Sequence, residues 1–362
     1  MKKKLKKIIK YIFFPWLIIS EKENLFVDYK YYIKGLSERN LKFLLRSNLK
    51  YVRKNNSELK KIRQKIIKNY LLNEDQVNIS NSKRFLELES FNKTKKKINK
   101  SSNFEIIKCE YYKISHYGVI NHFQKRKKKL LVYIEGHGNK SPQDRDHYLK
   151  IEKKVKQKGY DVLNLCMSGH GFNYCKTEDF NFPGKIKNTI PLYHQSFASY
   201  KDKKNPTKRP LSLMLSGNYY LIKNIIEKYK YSEVIISGFS GGGWITTLLG
   251  SFYTNIKKTI SVAGTIPLIF KVNRMYLGDW EQHESDIYDF SDYIDWYELC
   301  TLDEKFRSTR THVQIFNNKE PKTADGIAAN KLKKMISLKN FEIFVSKNNK
   351  HSIIIDDFLK FL

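Results

Sequence analysis

The sequence has few cysteines and little acidic charge, and it lacks the common signatures of nucleotide sites. Its 362 residues include four cysteines, no two of which form a Cys-x-x-Cys pair. Neither a zinc ribbon nor a disulfide framework is therefore indicated, and reduced thiols favour a cytoplasmic protein. No Lys-Ser or Lys-Thr ends a phosphate loop, and no Gly-x-Gly-x-x-Gly dinucleotide motif is present. A phosphate-binding loop is accordingly not favoured.

Acidic residues are too few to balance the basic ones. The chain has 68 Lys and Arg against 36 Asp and Glu, a net charge of +32, and its first 100 residues hold 27 basic against 9 acidic side chains. A field of this sign recruits nucleic acids and anionic membranes, although lysines on solvated faces need no partner. Because no recognised nucleic-acid module accompanies the charge, nucleic acid is not predicted as a partner.

The segment 2–17 combines lysines with apolar residues at helical spacing. Such a helix suits the headgroup region of an anionic bilayer, and Pro15 would kink or end it. A docking helix and a secretory signal peptide are the alternatives. The uncharged run 11–20 has no small-x-small cleavage site and is shorter than the roughly 20 residues that span a membrane. We expect a cytoplasmic protein, attached peripherally to the inner face of the membrane through residues 1–20.

The chain divides at about residue 100. Residues 1–100 are predicted to form a basic helical extension, with helices over 41–52 and 59–72 and a linker over 78–103 that is rich in Asn, Ser and Lys. Residues 101–362 alternate helices with strands over 104–109, 117–123, 130–135, 160–167, 233–237, 259–263, 312–316 and 341–345. This order predicts an α/β fold with a doubly wound, mostly parallel sheet, carrying insertions over 172–211 and 266–304.

The most informative motif places Ser240 between Gly238 and Gly242, after the apolar run Val234-Ile235-Ile236 and before a predicted helix. Gly-x-Ser-x-Gly between a strand and a helix is typical of a nucleophile elbow, in which larger side chains at the two glycines would collide with neighbouring backbone. The alternative is a glycine-rich loop that merely contains a serine. The flanking apolar segments favour the elbow.

A second candidate is His351, which follows the last predicted strand and precedes a terminal helix. With the elbow and its strands, it makes residues 104–362 resemble an α/β-hydrolase, whose catalytic order is nucleophile, acid, histidine. The resemblance implies that Ser240 attacks and that His351 acts as the base. It implies an acid near Glu320, which follows the strand 312–316; Asp325 is the alternative acid, and either could be an ordinary solvated carboxylate.

The resemblance also implies an oxyanion hole. Gly241, directly after the nucleophile, supplies one N–H donor, and His137 in the loop after strand 130–135 is the expected second donor, with Gly138 as the fallback. His137 and His170 follow adjacent strands and could bind a metal, but no Asp/His cluster at ligand spacing accompanies them. No metal site is therefore predicted, and these histidines are expected to shape the pocket rim.

The insertion 266–304 is the one acidic region, with aromatic residues interleaved among its carboxylates. It resembles the cap that covers hydrolase pockets; alternatively its carboxylates balance the basic N-terminal helices. Together these features predict a serine hydrolase that cleaves a small or polymer-linked carboxylic ester or thioester through an acyl-enzyme, without a cofactor. Transfer of the acyl group to another acceptor, and a non-catalytic scaffold with a membrane- or protein-binding arm, are the alternatives.

Overall fold

The computed structural model describes residues 54–81, 104–111, 114–122, 128–137, 142, 145–173, 210–264, 266–267, 270, 279–283, 285–302, 310–320 and 324–362. The predicted membrane-binding segment, the predicted helix 41–52, Gly138 and most of the insertion 172–211 lie outside these residues. None of the described helices is long and apolar enough to cross a bilayer.

A single sheet organises the described residues. Its strands are β1 (Asn78–Asn81), β2 (Phe104–Tyr111), β3 (Ile114–Asn121), β4 (Lys129–Glu135), β5 (Asp161–Cys166), β6 (Glu233–Phe239), β7 (Lys258–Val262), β8 (Thr311–Asn317) and β9 (Phe341–Ser346). They lie in the order β1-β2-β3-β5-β4-β6-β7-β8-β9. The pairs β1–β2, β2–β3 and β3–β5 are antiparallel, and the remaining pairs are parallel. The predicted doubly wound, mostly parallel sheet is confirmed.

The helices cover both faces of the sheet. They are α1 (Asn56–Tyr70), α2 (Asp146–Gln157), α3 (Pro210–Tyr229), α4 (Gly241–Phe252), α5 (Ser285–Tyr288), α6 (Tyr293–Thr301), α7 (Gly326–Met335) and α8 (Ile355–Leu359). In β4, Leu130, Val132 and Ile134 pack into the core that contains α1, α3, α4, α6 and α7. Leu131 and Tyr133 point the other way, into the core of α2 and α8. Burial on both faces explains why the central strands are apolar almost without interruption.

The described part of the basic N-terminal region belongs to this core. Helix α1 buries Leu59, Ile62, Ile66 and Tyr70 in the cluster that contains α3 and α4. Residues 78–81, which the sequence assigns to a linker, form the edge strand β1 paired with β2. That assignment was wrong because the short polar strand gains its order from cross-strand hydrogen bonds, which its composition does not reveal.

Two buried arginines tie these helices together. Arg63 on α1 donates to the carbonyl oxygens of Ser251 and Leu299, at the ends of α4 and α6. Arg310 donates to Gly250 and Leu299 at the same two helix ends. Carbonyls in the last turn of a helix lack intrahelical partners, and the negative end of the helix dipole favours a cation there. Two of the basic residues therefore have a structural role inside the protein.

Candidate active site

The site lies where the winding of the sheet reverses. Strand β4 pairs with β5 on one side and with β6 on the other, and all three strands run parallel. Connections leave in opposite directions from such a point, which opens a crevice at the carboxyl ends of the strands. Gly136 and His137 follow β4, and Ser240 follows β6. The topology thus brings two segments that are distant in sequence to one crevice.

Ser240 occupies a sharp turn between β6 and α4. Its backbone has φ 56° and ψ −126°, a left-handed φ that residues with a side chain adopt rarely. The turn is held by hydrogen bonds from the Ser240 amide to the Val262 carbonyl (2.9 Å) and from the Trp244 amide to the Ser240 carbonyl (3.1 Å). Strain of this kind persists where surrounding structure enforces it, as at the nucleophile of an elbow.

Gly238 and Gly242 are required by this turn. A Cβ on Gly238 would lie 2.3 Å from the Gly242 carbonyl oxygen, and one on Gly242 would lie 2.0 Å from the Ile134 carbonyl oxygen. Both clashes are with backbone, which cannot yield as a flexible side chain can. The two glycines allow α4 to begin directly against β4.

We therefore expect Gly242→Ala to lower the free energy of unfolding by about 3 kcal/mol or more, or to prevent folding, because overpacking against fixed backbone is costly. Urea denaturation followed by circular dichroism measures the change. Gly118→Ala is a matched control, since its Cβ would meet only leucine side chains, the nearest at 3.0 Å. Equal losses in the two variants would contradict this explanation of the elbow.

His351 and Glu320 complete a line of hydrogen bonds that ends at Ser240. His351, in the loop after β9, has Nε2 at 2.9 Å from Ser240 Oγ and Nδ1 at 3.0 Å from Glu320 Oε1. When Nδ1–H donates to the carboxylate, Nε2 is left to accept the serine hydroxyl. The Phe239 ring packs on the imidazole with centroids 4.7 Å apart. The histidine is thus held by both hydrogen bonding and ring packing.

The two candidate acids lie in different places. The Glu320 side chain is fully buried, and its Oε2 accepts from Asn317 Nδ2 at 3.0 Å. Asp325 is the N-cap of α7, where its Oδ1 accepts from the Ala328 amide at 2.9 Å. The imidazole contacts Glu320, while the Asp325 carboxylate satisfies the first turn of a helix.

The loop after β4 passes directly beside the elbow. A Cβ on Gly136 would lie 2.9 Å from the Gly241 amide nitrogen, and one on Gly241 would lie 2.5 Å from His137 Nδ1. The backbone of Gly136 and the imidazole ring of His137 therefore adjoin the start of α4. The role of the Gly241 and His137 amides as oxyanion donors stays a prediction.

Similarity to solved structures agrees with this architecture. Acetyl xylan esterase 1 from Thermoanaerobacterium sp. JW/SL YS485 superimposes with a TM-score of 0.50 over 84% of this chain and 92% of that chain, at 10% identity. This chain has the α/β-hydrolase fold. Est1E from Butyrivibrio proteoclasticus is a more distant match, with a TM-score of 0.43 over 68% of this chain and 91% of its own, at 11% identity. No protein-family model and no curated protein matches the sequence.

The residue before the loop that follows β4 is the buried Glu135. Its Oε2 accepts from the Tyr133 hydroxyl at 3.2 Å, and its Oε1 lies 3.5 Å from Arg145 Nε. Burial, followed by the nearby Glu135, raises the pKa of Tyr133 well above its usual 10, so the phenol keeps its proton. His147, on α2, contacts the same hydroxyl at 3.1 Å. This network anchors the start of the loop.

His137 has partners that the sequence did not predict. Its Nε2 lies 3.0 Å from Asp279 Oδ2 and 3.1 Å from Glu281 Oε1, and its ring meets that of His170 edge-on at 5.0 Å. No Asp/His cluster at ligand spacing surrounds this histidine in the sequence, and the fold brings the two carboxylates to it from the insertion. Glu281 is 144 positions away in sequence, so residue spacing carries no signal of the contact. The acidity of the insertion was the one available hint.

The part of the acidic insertion that the structure describes packs mainly in the core. Helix α6 packs on α4, and its Tyr293 and Trp296 are buried. The buried hydroxyl of Tyr293 donates to the Gln282 carbonyl at 3.0 Å, which fixes the turn Trp280–His283 against this core. The segment that carries Asp279 and Glu281 contacts His137.

Proposed function

We propose that the protein is a serine hydrolase that cleaves carboxylic esters or thioesters through an acyl-enzyme. The proposal rests on one observation: the hydrogen-bonded line from Ser240 through His351 to Glu320, with the serine on an elbow at the topological switch point. The similar structure with the TM-score of 0.50 is named an acetyl xylan esterase, which agrees with the proposed chemistry. The described residues contribute no observation that favours acyl transfer or a scaffold role.

Acylation begins at the serine. His351 Nε2 removes the hydroxyl proton as Ser240 Oγ bonds to the substrate carbonyl carbon, whose π electrons move to the oxygen. The buried Glu320 carboxylate stabilises the imidazolium that forms and keeps its Nδ1 proton in place. Because the nucleophile and base are already within hydrogen-bonding distance, binding of substrate needs little rearrangement of either group.

The negatively charged oxygen of the tetrahedral intermediate needs hydrogen-bond donors that stabilise its charge. The Gly241 amide lies at the N-terminus of α4, where backbone N–H groups and the helix dipole favour negative charge. The His137 amide is proposed as the second donor. Each donor of this kind contributes about 10²–10³-fold to kcat.

The intermediate collapses as His351 returns its proton to the departing alcohol or thiol, which breaks the ester bond and leaves the acyl group on Ser240. Water then attacks the carbonyl carbon of the acyl-enzyme as His351 takes its proton. The bond between Ser240 Oγ and the acyl carbon breaks, His351 returns the proton to Oγ, and the carboxylic acid leaves. The net reaction consumes one water for each ester cleaved. No cofactor takes part in these steps.

A fluorophosphonate probe tests this proposal directly, since it phosphonylates only an activated serine. We expect stoichiometric labelling of the wild type, with the mass increase on the peptide that contains Ser240. Ser232→Ala serves as a control, because Ser232 is exposed and outside the site. An unlabelled wild type, or labelling that persists in Ser240→Ala, would overturn the proposal.

A further inference from the structure

The strongest unexplained feature is the cluster of His137, Asp279 and Glu281. Their ligand atoms all lie within 4.8 Å of one another, on two segments that are distant in sequence. The Glu281 side chain is fully buried, whereas Asp279 and His137 are 18% and 22% exposed. The proposed ester cleavage assigns no role to these three side chains.

Both carboxylates of the cluster approach the same atom of the His137 imidazole, Nε2. The Nδ1 and Cε1 side of the His137 ring faces Gly241, as the close approach to that glycine shows. The other ring nitrogen, Nε2, is the atom that Asp279 Oδ2 and Glu281 Oε1 both approach. One Nε2–H can make only one linear hydrogen bond, yet it faces two carboxylate oxygens.

The electrostatics of the cluster also favour a bound cation. Two carboxylates meet here, one of them fully buried, and bringing like charges together away from water is costly unless a cation compensates them. A divalent ion supplies two charges and bonds to all three ligand atoms at once.

The donor set and its distances suit a transition metal. Imidazole nitrogen with carboxylate oxygens is a zinc ligand set, with bonds of about 2.0–2.2 Å. Bonds of that length in a tetrahedron separate the ligand atoms by roughly 3.3 Å. The observed separations from Nε2 are 3.0 and 3.1 Å. A modest outward shift of the three side chains would accommodate the ion.

We propose that His137 Nε2, Asp279 and Glu281 bind one divalent transition-metal ion of the Zn²⁺ type. The ion joins the turn 280–283 to the loop that follows β4, and it thereby holds that loop against the elbow. Three protein ligands leave a fourth position for water, as in open zinc sites. The proposal concerns metal binding and does not depend on the proposed ester cleavage.

Isothermal titration of metal-free, untagged full-length protein with Zn²⁺ tests it, with uptake checked by elemental analysis after desalting. We expect one equivalent to bind and the thermal midpoint to rise with Zn²⁺. His137→Ala and Glu281→Gln should each weaken binding by at least about 100-fold, since even outer-shell changes cost 10–100-fold. Asp279→Asn, at a more exposed ligand, provides a third variant if the buried substitution impairs folding.

A matched control is available at His122. This histidine also meets two carboxylates, Glu105 and Asp161, but through different ring nitrogens, at 3.7 and 3.3 Å. One ion cannot bind His122 together with both of these carboxylates. The His122→Ala variant should therefore bind Zn²⁺ as the wild type does. Failure of the wild type to bind Zn²⁺ would overturn the proposal in favour of a direct ion pair. Equal Zn²⁺ affinity in the wild type, His137→Ala and Asp279→Asn would overturn it as well.

Fluorophosphonate labelling of the same samples separates this proposal from the proposed function. Labelling at Ser240 without zinc binding would reject the metal site alone. Zinc binding without labelling would reject the hydrolase mechanism alone.

Discussion

Replacing Ser240 with alanine is expected to lower kcat/KM for p-nitrophenyl acetate by about 10⁴-fold or more, because Ser240 Oγ is the proposed nucleophile of the acyl-enzyme. The variant should fold normally, since Ser240 Oγ contacts His351 at the crevice and is only half-buried. Initial rates of p-nitrophenol release measure the loss, and circular dichroism verifies the fold.

The exposed Ser232 again provides the control, and Ser232→Ala should retain the wild-type rate. Activity of Ser240→Ala within tenfold of the wild type would remove this serine from the mechanism. It would leave the elbow as a structural turn only.

Glu320→Gln is expected to lower kcat by about 10³–10⁴-fold, with a smaller change in KM. A glutamine amide facing Nδ1 of His351 favours the imidazole tautomer that carries its proton on Nε2. That tautomer cannot accept the Ser240 proton, although the shape of the site is kept. Steady-state kinetics at neutral pH measure kcat and KM separately.

Asp325→Ala distinguishes the two candidate acids. Loss of an N-cap costs about 1 kcal/mol of stability, and we expect kcat to stay within about twofold of the wild type. A loss of kcat in Asp325→Ala as large as that in Glu320→Gln would transfer the role of acid to Asp325. Denaturation midpoints of both variants separate stability from chemistry.

Much of the fold could be predicted because it is encoded locally. The predicted strands of residues 101–362 lie within one to three residues of the observed ones, as β4 and β9 illustrate. Buried parallel strands are short apolar runs, and Gly238 and Gly242 mark a turn at which a Cβ would collide with backbone. These signals are present in consecutive residues and need no knowledge of distant contacts.

The insertion and the N-terminal region were harder to predict, for a physical reason. The aromatic residues of α6 are equally compatible with a mobile cap and with a buried helix, and packing against α4 selects the second. Residues 78–81 have no strand pattern of their own and become a strand through β2. Such elements obtain their stability from tertiary contacts. The secondary-structure propensity of their residues is a weak guide to these contacts.

The sequence by itself determined the α/β-hydrolase fold, the elbow at Ser240 and the order of serine, carboxylate and histidine along the chain. Only the tertiary structure decided that Glu320, and not Asp325, contacts His351, and that Asp279 and Glu281 meet His137. The reason is that strands and turns follow from neighbouring residues, whereas a site is made by groups that the sheet brings together from distant parts of the chain. Residue order specifies which side chains exist, and packing specifies which of them meet.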